Sequence, residues 1–224
     1  CICVQKVLAV DCSRGGLVEI PNNIPVFTRY LIFINNKVNR ISNNTFIDLR
    51  NLKLLRLTNN SIVTIDEDAF KGLLSLEWLD VGGNKLPETL PFRQSLISLR
   101  LKKNVIGYLN KSDFEGYDSL TDLDVGHNSI CQIQDGCFDD LSKLKNLNFW
   151  NNNMRSPDNL SFKSTSIRNL NLAENLIVII KATSFAEHTL RNIVELDLSG
   201  NPFECTCELF WFVNWANENK HKLS

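Results

Sequence analysis

The chain has 224 residues, with 24 Lys and Arg against 25 Asp and Glu, for a formal net charge of −1. That balance removes the simplest electrostatic argument for a nucleic-acid or anionic-membrane partner. A content of 43% hydrophobic and 22% charged residues excludes a disordered chain and supplies apolar material for a large core.

Cysteine gathers at the two ends: Cys1, Cys3 and Cys12 at the start, Cys205 and Cys207 near the finish. Such placement suggests stapled caps formed in an oxidising compartment. A zinc site is the competing reading. Cys205-x-Cys207 lacks the two-residue gap of a zinc knuckle, and His127, His188 and His221 form no ligand spacing. Cys3 and Cys12 bracket a short apolar strand, VQKVLAVD, so residues 1–27 are expected to form an N-terminal cap with Cys3 and Cys12 as its disulfide cysteines.

From residue 28 to 203 the chain repeats itself, in the pattern L-x-x-L-x-L-x-x-N-x-L. Eight frames open at Thr28, Leu52, Leu76, Leu96, Leu120, Leu144, Ile167 and Ile193, with separations of 24, 24, 20, 24, 24, 23 and 26 residues. A second column confirms the phase: Phe46, Phe70, Phe114, Phe138, Phe162 and Phe185 each stand 18 residues after an opening position. Two phased columns do not arise by chance. The L-x-L core alternates apolar and polar residues, as a strand with one buried face does. Each repeat is expected to add one short strand to a parallel concave sheet, while the phenylalanine plugs the opposite wall. The fold class expected is an α/β leucine-rich-repeat solenoid, a curved horseshoe with disulfide-stapled caps. No repeat buries its apolar face alone, so stacking stabilises the fold.

The inward polar column is Asn36, Asn60, Asn84, Asn104, Asn128, Asn152, Asn175 and Asn201. A buried amide must find partners or cost about 1–3 kcal/mol. Its two donors and its acceptor suit the backbone groups of a turn and of the adjacent repeat. These asparagines are therefore structural. The third repeat has a return segment four residues shorter than its neighbours, carrying Pro87 and Pro91, and Phe92 is the candidate substitute for the missing phenylalanine. A local change of curvature is expected there.

Cys131 and Cys137 share one return segment. We expect a small disulfide loop; the alternative is two small buried residues, because position 137 aligns with Ala69 and Thr45. Sequons at Asn43, Asn59, Asn110 and Asn159 agree with export and with N-linked glycans. Asn59 falls at a strand end near the concave rim, the other three on return segments. Residues 204–224 form an incomplete C-terminal cap, in which Phe210, Trp211, Phe212 and Trp215 read as an amphipathic helix closing the core, pinned by cysteines.

The cap NPFECTCELFWFVNW and the N-terminal C-x8-C followed by LVEIPNNIP resemble those of Toll-like receptor ectodomains and their extracellular relatives, including variable lymphocyte receptors. The resemblance covers essentially the whole chain, although family ectodomains run to many more repeats. It implies a ligand-recognition module of an innate immune receptor, taking a microbial or protein ligand and signalling by bringing two ectodomains together. The alternative is a non-immune adhesion or matrix module. It also implies an extracellular location, secreted or as the ectodomain of a single-pass receptor, with any membrane attachment supplied by segments outside this sequence. The family's caps carry two further cysteines downstream of the position of Ser224.

The polar strand positions face the concave solvent side, over a length of roughly 34 Å for eight strands. Two clusters stand out: Tyr30, Ile32, Ile34, Leu54 and Trp78 as an apolar and aromatic end, and Arg100, Lys102 and Lys103 beside Asp80, Asp122 and Asp124. The candidate ligand-binding residues are Tyr30, Ile32, Leu54, Arg56, Trp78, Arg100, Lys102 and Trp150. For the charged cluster the plain alternative is mutual neutralisation between neighbouring strands. No Ser/His/Asp or Cys/His set, phosphate-cradling glycine loop or metal cluster can be assembled, so neither enzyme activity, cofactor nor metal is expected.

Overall fold

The computed structural model describes residues 1–90, 96–158, 160 and 166–224. Each L-x-L core becomes a three-residue strand whose central leucine points inward. In chain order the strands are β1 (Ile2–Val4), β2 (Ala9–Asp11), β3 (Tyr30–Ile32), β4 (Arg40–Ile41), β5 (Leu54–Arg56), β6 (Thr64–Ile65) and β7 (Trp78–Asp80). They continue as β8 (Ser98–Arg100), β9 (Tyr108–Leu109), β10 (Asp122–Asp124), β11 (Gln132–Ile133), β12 (Asn146–Asn148), β13 (Asn169–Asn171) and β14 (Glu195–Asp197). Ten of them form one sheet in the order β1-β2-β3-β5-β7-β8-β10-β12-β13-β14, all parallel except the β1–β2 hairpin. The register is the same throughout: Leu31, Leu55, Leu79, Leu99, Leu123, Leu147, Leu170 and Leu196 stand opposite one another and are buried.

The shortened third repeat leaves this sheet intact, since Leu79 pairs with Leu99 in register. The return side is different. Its two small parallel sheets, β4 with β6 and β9 with β11, lie on either side of that repeat. Pro91 and Phe92 fall outside the described residues, as do Phe162 and Asn159. The remaining phenylalanines of the column, Phe46, Phe70, Phe114, Phe138 and Phe185, are all buried in one continuous core. Phe46 stacks on Phe70 with ring centroids 5.9 Å apart, and Phe114 meets Phe138 at 5.5 Å.

The asparagine column links each coil to the one before it. Asn152 Oδ1 accepts from the Ile130 N–H at 2.9 Å, while its Nδ2 donates to the Val125 carbonyl at 3.1 Å and the Phe149 carbonyl at 2.9 Å. Asn60, Asn84, Asn104, Asn128, Asn175 and Asn201 repeat this three-way pattern. Asn36 ties the first repeat to the N-terminal cap through Gly15, Leu17 and Cys12.

A column that the periodicity did not reveal stands one residue earlier. Asn35, Asn59, Gly83, Lys103, His127, Asn151, Glu174 and Gly200 all have φ between 53° and 67°. The left-handed turn aims the N–H of the first seven at a carbonyl of the following coil, as with Lys103 N to Gly126 O at 3.0 Å. Asn and Gly enter this region at little cost; Lys103, His127 and Glu174 carry the steric penalty of a β-carbon.

Three expectations for the caps and cysteines are corrected. VQKVLAVD is not one strand: β1 and β2 are separated by a 3₁₀ turn over Gln5–Val7, with Leu8 left-handed at φ 54°. The antiparallel register pairs Ile2 with Asp11 and Cys3 with Val10, which brings Cys1 alongside Cys12. The disulfide is therefore Cys1–Cys12, and Cys3 is a free, exposed thiol. Cys131 and Cys137 are not bonded either. Between them β11 pairs with β9 and holds the segment extended. Cys131 stays at the surface, and buried Cys137 turns its sulfur to the Asn110 carbonyl at 3.2 Å.

At the other end the helix is real. Helix α1 (Glu187–Asn192) occupies the last return segment and α2 (Phe210–Glu218) covers the open core. Phe212 is buried and stacks on Trp215, and the Trp211 Nε1–H donates to the Ile180 carbonyl at 2.8 Å. Phe210 departs from the expectation, facing solvent at 66% exposure. Cys205 and Cys207 are exposed free thiols, so it is ring packing and the Trp211 bond that hold α2 here. Leu223 then bridges to Leu196 and covers part of the edge of β14.

Candidate functional site: the concave face

Parallel pairing in one register sorts the outward residues into straight columns. One runs Tyr30, Leu54, Trp78, Ser98, Asp122, Asn146, Asn169, Glu195; the next runs Ile32, Arg56, Asp80, Arg100, Asp124, Asn148, Asn171, Asp197. Tyr30 and Trp78 are 36% and 39% exposed, which makes them accessible on a rigid sheet rather than part of the core. Ile32, Leu54 and Arg56 are half-buried, and Arg100 is exposed. Lys102 and Trp150 sit two residues past the central column, in the turns that follow β8 and β12. They are rim positions. The Trp150 ring packs edge-on against His127 at 5.0 Å.

The face is polarised. Its C-terminal half is a polar trough of about 380 Å³, lined on the β8 side by Arg100 and Lys102 and further along by the carboxylates of Asp122, Asp124, Glu195 and Asp197 together with four asparagines. Much of this polarity is already engaged. Asp124 Oδ1 accepts from the Gly126 N–H at 3.1 Å and from Asn148 Nδ2 at 3.0 Å. Asn146 Nδ2 donates to Asp122 Oδ1 at 2.5 Å and Asn169 Nδ2 to Asn146 Oδ1 at 2.6 Å. Asp80, Asn148, Asn171 and Asp197 each accept from the N–H two residues on. These central-column side chains cap the turn after their own strand, an Asx turn that Asp80-x-Gly82 and Asp124-x-Gly126 announce in the sequence.

The cations behave differently. Arg56, Arg100 and Lys102 make no ion pair within 4.0 Å among the described residues, although Asp80 stands between Arg56 and Arg100 in the register. Mutual neutralisation by direct contact is thus not what the charged cluster does. The ion pairs that do form lie elsewhere, such as Arg40–Asp66 at 2.9 Å, where the guanidinium holds the Asp66 carboxyl below its ordinary range.

At the N-terminal end a second trough of about 590 Å³ opens between the cap hairpin and the first two repeats, lined by Lys6, Val7, Leu8, Ala9, Arg29 and the strand residues Tyr30, Ile32, Leu54 and Arg56. The sequence singled out the last four; the cap contribution was hidden because it depends on how the β1–β2 hairpin turns onto β3. Of the sequons, Asn43 is exposed with its Oδ1 bound to the Asp68 N–H, Asn59 is exposed beside Asn35, and Asn110 is half-buried.

A family model of the leucine rich repeat matches residues 29–86, and a BspA-type leucine rich repeat region of six copies matches residues 89–192. This is a leucine-rich-repeat solenoid. Among known leucine-rich-repeat proteins, human leucine-rich repeat-containing G-protein coupled receptor 5 is 42% identical over 82 residues, covering 37% of this chain and 9% of the receptor. Bovine leucine-rich repeat-containing protein 3B is 40% identical over 88 residues, covering 38% of this chain and 34% of that protein. The matches thus span well under half of either relative. The crystal structure of human 5T4, titled Wnt-activated inhibitory factor 1 or trophoblast glycoprotein, aligns with a TM-score of 0.79 at 21% identity. It covers 100% of this chain and 87% of that one. At that identity the likeness concerns the leucine-rich-repeat fold alone.

Proposed function

We propose that this solenoid is an extracellular recognition module that takes a protein ligand on its concave face. The observation that carries the reading is the combination of exposed Tyr30 and Trp78 with unpaired Arg56 and Arg100 on one in-register sheet. Aromatic and arginine side chains on a rigid surface are the groups that dominate protein interfaces, and a face roughly 34 Å long suits a macromolecule better than a metabolite. Among the described residues no helix is long and apolar enough to cross a membrane. The Cys1–Cys12 bond and the exposed sequons Asn43 and Asn59 support export, with N-glycans carried on the return side at Asn43 and Asn110.

The finer assignment follows the resemblance of the caps: an innate immune, Toll-type receptor ectodomain binding a microbial or protein pattern and acting through receptor pairing. The relatives support a second reading, a receptor or adhesion module outside immunity, because they are a G-protein coupled receptor and a leucine-rich repeat-containing protein. Surface plasmon resonance against microbial lipopeptides, flagellin and secreted protein ligands separates the two. In either case Trp78→Ala and Arg100→Ala should weaken binding at least tenfold, with Trp150→Ala smaller. Binding that ignores all three substitutions transfers the site to the lateral or return surfaces.

A further inference from the structure

We propose that the N-terminal trough is the anchor subsite of the concave face, and that it takes an acidic protein segment carrying one large apolar side chain. The inference rests on the concave-face reading and adds the chemistry and direction of the ligand. Val7, Leu8 and Ala9 of the cap and Tyr30, Ile32 and Leu54 of the first strands supply an apolar lining, with Val7 exposed by 52% and Tyr30 by 36%. Lys6, Arg29 and Arg56 line the same trough, no acidic residue does, and none of the three cations forms an ion pair among the described residues. The nearest carboxylates on the central column are committed to turns: Asp11 Oδ1 accepts from the Ser13 N–H at 2.8 Å, and Asp80 Oδ1 from the Gly82 N–H at 3.0 Å.

Three unpaired cations around an apolar lining attract carboxylates and reward burial of a side chain between them. Arg100 and Lys102 extend the positive region into the near side of the far trough, and the carboxylates of Asp122, Asp124, Glu195 and Asp197 outnumber them along the rest of it. Like charges facing each other across an interface are unfavourable, so an acidic segment is disfavoured along the carboxylate-lined end of the far trough, which biases its orientation. A sulfated glycan would satisfy the cations but leave the apolar lining uncovered. The protein segment is therefore the better fit.

The test uses the whole chain and two fluorescein-labelled synthetic peptides, one of alternating Asp and Glu around a central Phe and one with Lys in place of every acid. Fluorescence anisotropy should show the acidic peptide binding at least tenfold more tightly. Arg56→Glu and Tyr30→Ala should each weaken it at least tenfold, while Lys143→Glu outside the concave face changes it less than twofold and thermal melting confirms that all variants fold. Equal binding of both peptides, or no binding of the acidic one at millimolar concentration, overturns the proposal. So does a heparin oligosaccharide that displaces the peptide and is indifferent to Tyr30→Ala. Amide chemical-shift mapping separates the levels of failure. Perturbations over β10–β14 with the acidic peptide defeat this inference and leave the concave face standing; perturbations confined to the return side defeat both.

Discussion

A single inward asparagine does three jobs at once, and its removal exposes all three. In the Asn152→Ala variant the Ile130 N–H and the Val125 and Phe149 carbonyls lose their partner in a buried setting. We expect a loss of about 2–3 kcal/mol in urea unfolding, from the cost of unsatisfied buried polar groups. Asn128→Ala should cost less, because Asn128 is only half-buried and water reaches the vacated groups. The left-handed column makes the opposite prediction. Lys103 is exposed and held at φ 57°, so Lys103→Gly should raise stability by about 0.5–1 kcal/mol as the β-carbon clash is relieved. A lower denaturation midpoint for that variant would refute this account of the turn. Cysteine chemistry is read the same way. Burial pushes the Cys137 thiol well above its ordinary range, and Cys131 is exposed. Iodoacetamide at neutral pH followed by peptide mass mapping should label Cys131 in the folded protein and Cys137 only after unfolding.

Between elements, stacking depends on contacts that each coil makes with the next. Asp158 is such a link: Lys181 Nζ donates to its Oδ2 at 3.1 Å and the Ser184 hydroxyl to its Oδ1, across 23 and 26 residues of chain. Burial raises the Asp158 pKa, but hydrogen bonds from Ser184, Ser156 and Lys181 outweigh it and hold the carboxyl below its ordinary range. A carboxyl depressed in the folded state binds its proton more readily when unfolded. Its contribution is therefore complete above about pH 4 and is lost as the pH falls through the folded value. The stability gap between the native protein and Asp158→Asn should be larger at pH 7 than at pH 3. A gap that does not change with pH would remove the ionised carboxylate from the explanation.

For the whole molecule, a solenoid is a one-dimensional stack whose terminal coils depend on their covers. Trp211 anchors α2 through its bond to the Ile180 carbonyl, next to the last strands and far along the stack from β5. Trp211→Ala should accelerate amide hydrogen exchange in β13 and β14 strongly and in β5 little, because opening free energies in such stacks are local. Uniform acceleration would mean that the chain unfolds as a single cooperative unit. The same architecture explains the function proposed: repetition converts three-residue strands into long, straight columns, and the charge changes sign along them because each repeat contributes its own outward residues to a fixed frame.

The sequence by itself determined the solenoid with its parallel sheet, the inward leucine, phenylalanine and asparagine columns in the described residues, and the two outward columns of the strands. All of these follow from short-range periodicity, since burial on one side of a coil forces the same residue type to return at the same phase. Tertiary structure decided the rest. The Cys1–Cys12 pairing, the separation of Cys131 from Cys137, the outward turn of Phe210 and the cap wall of the N-terminal trough depend on strand register and on contacts between distant segments. The free cations of the concave face belong here too: a sequence shows Arg56 and Asp80 near each other in phase, and only the fold shows that Asp80 Oδ1 accepts the Gly82 N–H while no ion pair forms with the Arg56 guanidinium among the described residues.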